Sequence, residues 1–156
     1  MEEMTRRELA FCYIYSQEIQ GDNSKAQVKL FLDSTEVENG RSREYVKIVA
    51  SGIKENDSEI SEMISKNLKT GWTINRISKI DLALLKLAIY EMNYMGTPYK
   101  IIINEAVNMA KKYGEDNSPS FVNGVLAKIV AESKLSDEKN TETDVSTDNN
   151  DVNSEQ

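Results

Sequence analysis

Two groups of side chains in this 156-residue sequence could do chemistry, and in both the chemistry is recognition of anions and flat rings. The first is Thr5-Arg6-Arg7, with Tyr13 and Tyr15 one to two turns further along the same helical stretch. Arginines at a helix N-terminus can hold phosphates together with the free backbone N–H groups, and aromatic rings can stack on bases. An ordinary solvated terminus would look similar, because Glu2, Glu3 and Glu8 surround the two arginines. The second group is Lys66, Lys69, Arg76 and Lys79 around Trp72, with no acid between Lys66 and Lys79. Trp72 itself reads as a buried anchor between the two halves of the chain. Phe121 follows Asp116-Asn117-Ser118 at the start of a last helix, where both a core position and an exposed ring are open to it.

Bond-making chemistry finds no comparable footing. The chain has no histidine, which excludes Ser-His-Asp and Cys-His catalysis, His-ligated zinc and a Glu-x-x-His di-iron site. The single cysteine, Cys12, lies between Phe11 and Tyr13 and reads as a small buried hydrophobe with no base to activate it. Glu2-Glu3, Glu36/Glu38 and Asp57/Glu59/Glu62 read as solvated helix surfaces or termini. No phosphate-cradling glycine motif is present, so neither a cofactor nor a metal is expected. A lone thiol fits a reducing compartment, the cytoplasm. No run of 18 apolar residues and no signal-peptide pattern appears, so neither a membrane span nor a leader is expected.

The net charge of −7 argues at first against a nucleic-acid partner. Residues 134–156, however, hold seven acids against two lysines, a net of −5, in a segment of Ser, Thr and Asn without an aromatic residue. Such a composition predicts a disordered acidic tail and leaves residues 1–133 at only −2.

The elements that must position these side chains read as helices throughout, so the predicted fold class is all-α, with three helices before Gly71 and three or four after it. Thr5 and Glu8 are spaced as a capping box opening a helix to about Ile19. A second covers Lys25 to about Val37, ended by Asn39-Gly40, and a third runs from about Ser42 to Leu68, with Glu55-Asn56-Asp57-Ser58 its expected break. Ile77, Ile80, Leu84, Leu85, Ala88, Ile89 and Met92 recur at spacings of three and four, ending near Met95-Gly96. Thr97-Pro98 and Ser118-Pro119 read as N-cap plus first-turn proline, and Gly114 as a C-cap where positive φ is often needed. Asn104 and Asn123, polar points on apolar helices, are expected to be hydrogen-bonded, and Gly124 to permit close helix packing.

Several boxes then resemble a known family. Pro98-Tyr99-Lys100-Ile101-Ile102-Ile103-Asn104-Glu105-Ala106-Val107 is similar to the P-x-K-V-a-I-N-E-A-V signature of the NusB transcription antitermination family. Ala110-Lys111-Lys112-Tyr113-Gly114, Phe121-Val122-Asn123-Gly124-Val125-Leu126 and Leu85 through Met92 resemble its other boxes. Arg7, Ala10, Ile14 and Tyr15 fit its N-terminal pattern, so the resemblance spans roughly residues 4–132.

The resemblance implies two perpendicular helical subdomains, here about 4–69 and 72–133 within a domain over 1–133, that bind RNA without catalysis or cofactor. It implies pairing with the ribosomal protein NusE on boxA-type single-stranded RNA of nascent rRNA transcripts. Other Nus factors and RNA polymerase then join a larger complex that reads through terminators; the chain itself could be monomer or homodimer. By position it assigns RNA contact to Arg6 and Arg7 with Tyr15 nearby, and to Phe121; the second basic cluster adds Lys69 and Arg76. Two features depart from the family: only two arginines stand at the N-terminus, and the acidic tail runs past its usual end. The alternative is a helical protein–protein adaptor with little direct RNA contact. An RNA-methyltransferase fusion is the poorest fit, since 156 residues leave no room for a cofactor-binding α/β domain.

Overall fold

The computed structural model describes residues 4–21, 25–35 and 40–133, and among these no strand occurs. The elements are α1 (Arg6–Gln20), α2 (Lys25–Ser34), α3 (Gly40–Glu55), α4 (Asp57–Lys66), a 3-10 turn (Ile74–Arg76), α5 (Lys79–Asn93), α6 (Tyr99–Tyr113) and α7, over residues 118–133. The expected acidic tail, 134–156, lies outside the described residues, as do Glu2, Glu3, Glu36 and Glu38. No helix among the described residues is long and apolar enough to cross a membrane.

The helix ends follow local chemistry. Thr5 Oγ1 accepts from the Glu8 N–H at 3.1 Å while Glu8 Oε1 accepts from the Thr5 N–H at 3.4 Å, the reciprocal capping box expected from the sequence. The long third helix does break, at Asn56, whose N–H and side-chain amide both donate to the Gly52 carbonyl, at 3.0 and 2.8 Å. Ser78 opens α5 by accepting from the Asp81 N–H at 3.1 Å.

Three end devices differ from expectation. Pro98 occupies the N-cap of α6, with Tyr99 the first helical residue. Gly114 is extended (φ −94°, ψ −167°), so positive φ is not why glycine stands there. A Cβ would instead fall 2.5 Å from Ser118 Oγ, and the missing side chain lets α7 begin against the end of α6. The buried Ser118 is itself helical, and its hydroxyl accepts from the Glu115 N–H of the preceding turn.

At the centre lies α5, on which every residue from Asp81 to Glu91 is buried. A helix buried on all sides needs neighbours on all sides, and α1, α3, α4 and α6 pack around it, with α2 laid on α3. Leu82, Leu84, Leu85, Leu87 and Ile89 form its share of one continuous core with Leu9, Ile14, Val46, Val49, Ile60, Ile64, Ile102 and Leu126. Three charged residues, Asp81, Lys86 and Glu91, interrupt this buried stretch, and the last two are met by opposite charge. Lys86 Nζ donates to Glu18 at 2.6 Å and to Asp57 at 2.9 Å. Burial pulls the Lys86 ammonium down, but the two carboxylates outweigh it and hold its pKa above the ordinary lysine value. Asp57 is thus no idle surface acid, and neither is Glu59, which accepts from the Tyr94 hydroxyl at 2.6 Å.

Candidate nucleic-acid interface

Glu91, the other paired charge on α5, ties the first turn of α1 to the end of α5. Arg7 Nε donates to Glu91 Oε2 at 2.8 Å. Glu91 is 2% exposed, whereas the Arg7 side chain keeps 23% of its surface in solvent. Burial pushes the Glu91 carboxyl above the usual carboxylate range, and the charge of Arg7, with that of Arg6 further off, pulls it only part of the way back. The guanidinium is therefore pinned from below by a buried anion while its outer edge faces water. Arg6 is exposed, and its guanidinium carbon sits 4.9 Å from the centroid of the buried Tyr45 ring on α3, a cation–π arrangement.

One residue further along, Glu8 joins α1 to the end of α6. Its Oε2 accepts from Lys112 Nζ at 2.7 Å and from the Tyr113 hydroxyl at 2.5 Å. These two donors hold the Glu8 carboxyl at a pKa of about 2, and Glu8 in turn raises that of the exposed Lys112. Tyr113 is raised by burial first and then by Glu8. Its ring packs on Phe11 with centroids 5.1 Å apart, and Phe11 stacks on Tyr15 at 6.2 Å and 21°. Tyr15 is thereby half-buried against the core, two turns from the arginines. Cys12, next to Phe11 in the chain, is half-buried, and desolvation raises its thiol pKa, in line with an inert packing role.

Phe121 is also half-buried and packed on the core, in the first turn of α7. Because Gly114 and Ser118 hold the start of α7 against the end of α6, Phe121 lies at the same end of the molecule as Glu8, Lys112 and Arg7. Lys69 and Arg76 do not. They are exposed on the connection that precedes Ser78, at the opposite end of α5. The helix between Lys79 and Glu91 puts about 18 Å between the two groups.

Trp72 corrects an expectation from sequence: it is 51% exposed rather than a buried anchor. Leu68, Ile74 and Ile77 fill the anchoring role instead. Asn104 and Asn123 are exposed, where water can satisfy them, and line an open groove with Tyr99, Lys100, Ile103 and Val107. Gly124 has no atom within 4 Å of where a Cβ would stand, so close packing does not explain it. Among the described residues no cluster of three or more metal-ligating side chains occurs.

Sequence reasoning misses Glu91, Glu8 as an ion-pair partner, and Lys112. Their contacts join residues 84 and 104 positions apart, which no local spacing reveals. The available signal is charge placed where burial is expected: Glu91 lies near the end of a helix that is buried and mostly apolar.

Known proteins share this architecture. The sequence model of the NusB family matches residues 4–131. The transcription antitermination protein NusB of Acetivibrio thermocellus is 42% identical over 139 residues, covering 88% of this chain and 94% of the relative. That of Bacillus cereus is 37% identical over 130 residues, covering 83% and 97%. Among solved structures, T. maritima NusB superposes with a TM-score of 0.73 at 34% identity, covering 84% of this chain and 94% of that one. A structure of the antitermination factors NusB and NusE in complex with dsRNA matches with a TM-score of 0.72 at 26% identity, covering 80% and 92%.

Proposed function

This chain belongs to the NusB family, and from that premise we propose that it is an RNA-binding transcription antitermination factor acting on boxA-type RNA of nascent rRNA transcripts together with NusE. In this reading it works in the cytoplasm, within a complex of Nus factors and RNA polymerase, and helps the polymerase read through terminators. It is not an enzyme: its part is to bind and to present a surface.

One observation carries the RNA reading. Arg6 and Arg7 come from the start of the chain and Lys112 and Phe121 from its last two helices, and the Glu8–Lys112 ion pair draws these two parts to one end of the fold. That fold is similar to one whose solved structure holds both NusE and RNA. Arg7, with one N–H committed to a buried carboxylate, loses little further side-chain freedom when its outer edge meets a phosphate. Arg6 over Tyr45 and Lys112 on Glu8 are restrained in the same way. Tyr15 and Phe121 offer ring edges for bases, and Lys69 and Arg76 contribute charge from the far end of α5. A net charge of −7 over the whole chain limits affinity for a polyanion, which gives NusE a necessary rather than an accessory part.

The test is a double variant, Arg6→Ala with Phe121→Leu, chosen because leucine keeps the packing volume while removing the ring. Affinity for boxA-type RNA in the presence of NusE is expected to fall about ten-fold, with the urea midpoint close to that of the parent. Unchanged RNA affinity with NusE still bound would favour the adaptor reading.

A further inference from the structure

The connection between α4 and α5 is built to expose one aromatic ring among cations. The Trp72 N–H donates to the Lys69 carbonyl at 3.0 Å, closing a four-residue turn. Gly71 sits at its third position with φ +88°, the sign a type II turn requires there. Beyond it the 3-10 turn folds back on α4, and Leu68, Ile74 and Ile77 sink toward the core. Lys69, Thr70, Trp72, Thr73, Asn75 and Arg76 are left on the outside. Lys66 and Lys79 flank them, both exposed. None of Lys66, Lys69, Arg76 and Lys79 forms an ion pair with any described residue. The nearest acids along the chain are Glu62, one turn earlier on α4, and Asp81, buried in the first turn of α5.

A single exposed apolar residue is ordinary on a protein surface. An exposed indole with four uncompensated cations in fourteen residues of chain is a different case. Single strands of nucleic acid are held by this pairing of elements, rings on which bases stack and cations that follow the phosphates. Protein interfaces are instead depleted of lysine relative to the rest of the surface, and three of these four cations are lysines. We propose that the α4–α5 connection is a second single-stranded RNA platform, with Trp72 as its stacking residue and Lys66, Lys69, Arg76 and Lys79 on the phosphates. It rests on the RNA-binding reading of the chain and adds to it a separate contact, about 18 Å of helix away from the arginines of α1.

Trp72 is the only tryptophan in the sequence, so the intact chain reports on this surface directly. An oligouridine of about twelve nucleotides, within the range such sites cover, is labelled with fluorescein and titrated with the full chain in the presence of NusE. Anisotropy of the label reports binding anywhere on the protein. Trp72 emission, corrected against a mixture with Trp72→Phe protein, reports stacking at the connection. The expected result is a saturating change in Trp72 emission with the same midpoint as the anisotropy. Affinity should fall about ten-fold in Trp72→Ala and much less in Trp72→Phe, which keeps a ring. Binding seen by anisotropy with Trp72 emission unmoved and Trp72→Ala unchanged would overturn the platform and leave the α1 site standing. Absence of any binding by anisotropy would overturn both. An emission change on adding NusE alone, with none on adding RNA, would assign the surface to protein and overturn the proposal.

Discussion

The two basic regions of this molecule are built on opposite plans. At the α1–α6 end, cations are fastened to buried carboxylates: Arg7 to Glu91 and Lys112 to Glu8. At the α4–α5 connection, Lys66, Lys69, Arg76 and Lys79 are exposed and have no ion-pair partner among the described residues. In the first region Arg7 and Lys112 are each both a structural joint and a presented surface, so their removal is expected to disturb the fold. In the second the positive groups stand on a turn whose packing is done by Leu68, Ile74 and Ile77, so their removal is expected to leave folding intact. An arginine that holds a buried carboxylate cannot be tested for RNA contact by simple deletion; one that stands free can.

The contrast is most easily broken at Arg7. Replacing it by alanine strands Glu91 in the core and is expected to cost about 3–5 kcal/mol in urea unfolding. Arg7→Met combined with Glu91→Leu is expected to recover most of that stability, because no buried charge then remains. Full stability in Arg7→Ala would show that the joint does not exist.

Glu8 is the next test. Glu8→Gln forfeits charge-assisted hydrogen bonds to Lys112 and Tyr113, for an expected loss of about 2 kcal/mol at neutral pH. The pH dependence has a definite sign. With a folded pKa of about 2 against an ordinary value of 4.5, the folded state binds fewer protons than the unfolded state between those values. The Glu8 contribution is therefore complete above about 4.5 and drains away as pH falls toward 2. Acid titration of stability should be flatter in Glu8→Gln over that window.

The free cations should behave in the reverse manner. Lys69→Ala with Arg76→Ala is expected to change stability by no more than about 0.5 kcal/mol. The same pair should make the salt dependence of RNA binding shallower by about 1.4, at about 0.7 for each phosphate that is no longer neutralised. A large drop in stability would show that these side chains, too, are structural.

Helices are the legible part of this sequence because apolar residues at spacings of three and four leave few other folds open to them. The stretch from Ile77 to Met92 shows this, as does the break at Asn56, where polar residues interrupt the stripe. Trp72 escapes a sequence reading for a physical reason. Residue type suggests burial, while the direction of the ring is set by the backbone at Gly71 and by neighbours that already fill the core. Arg6 and Arg7 can be picked out as candidate contacts, but their restraints cannot. Glu91 and Lys112 are paired through the packing of α1 on α5 and α6, and only the folded chain brings them together. Gly114 teaches something similar: its place after a helix suggests a need for positive φ, and the structure uses its lack of a side chain.

The most direct measurement is the affinity of the intact chain for a boxA-type single-stranded RNA across a series of salt concentrations, with and without NusE. The expected result is weak binding alone, tighter binding with NusE, and a logarithmic affinity that falls with salt by about 0.7 for each phosphate held. Affinity indifferent to salt, or no binding even with NusE present, would contradict an RNA-binding role for these basic surfaces.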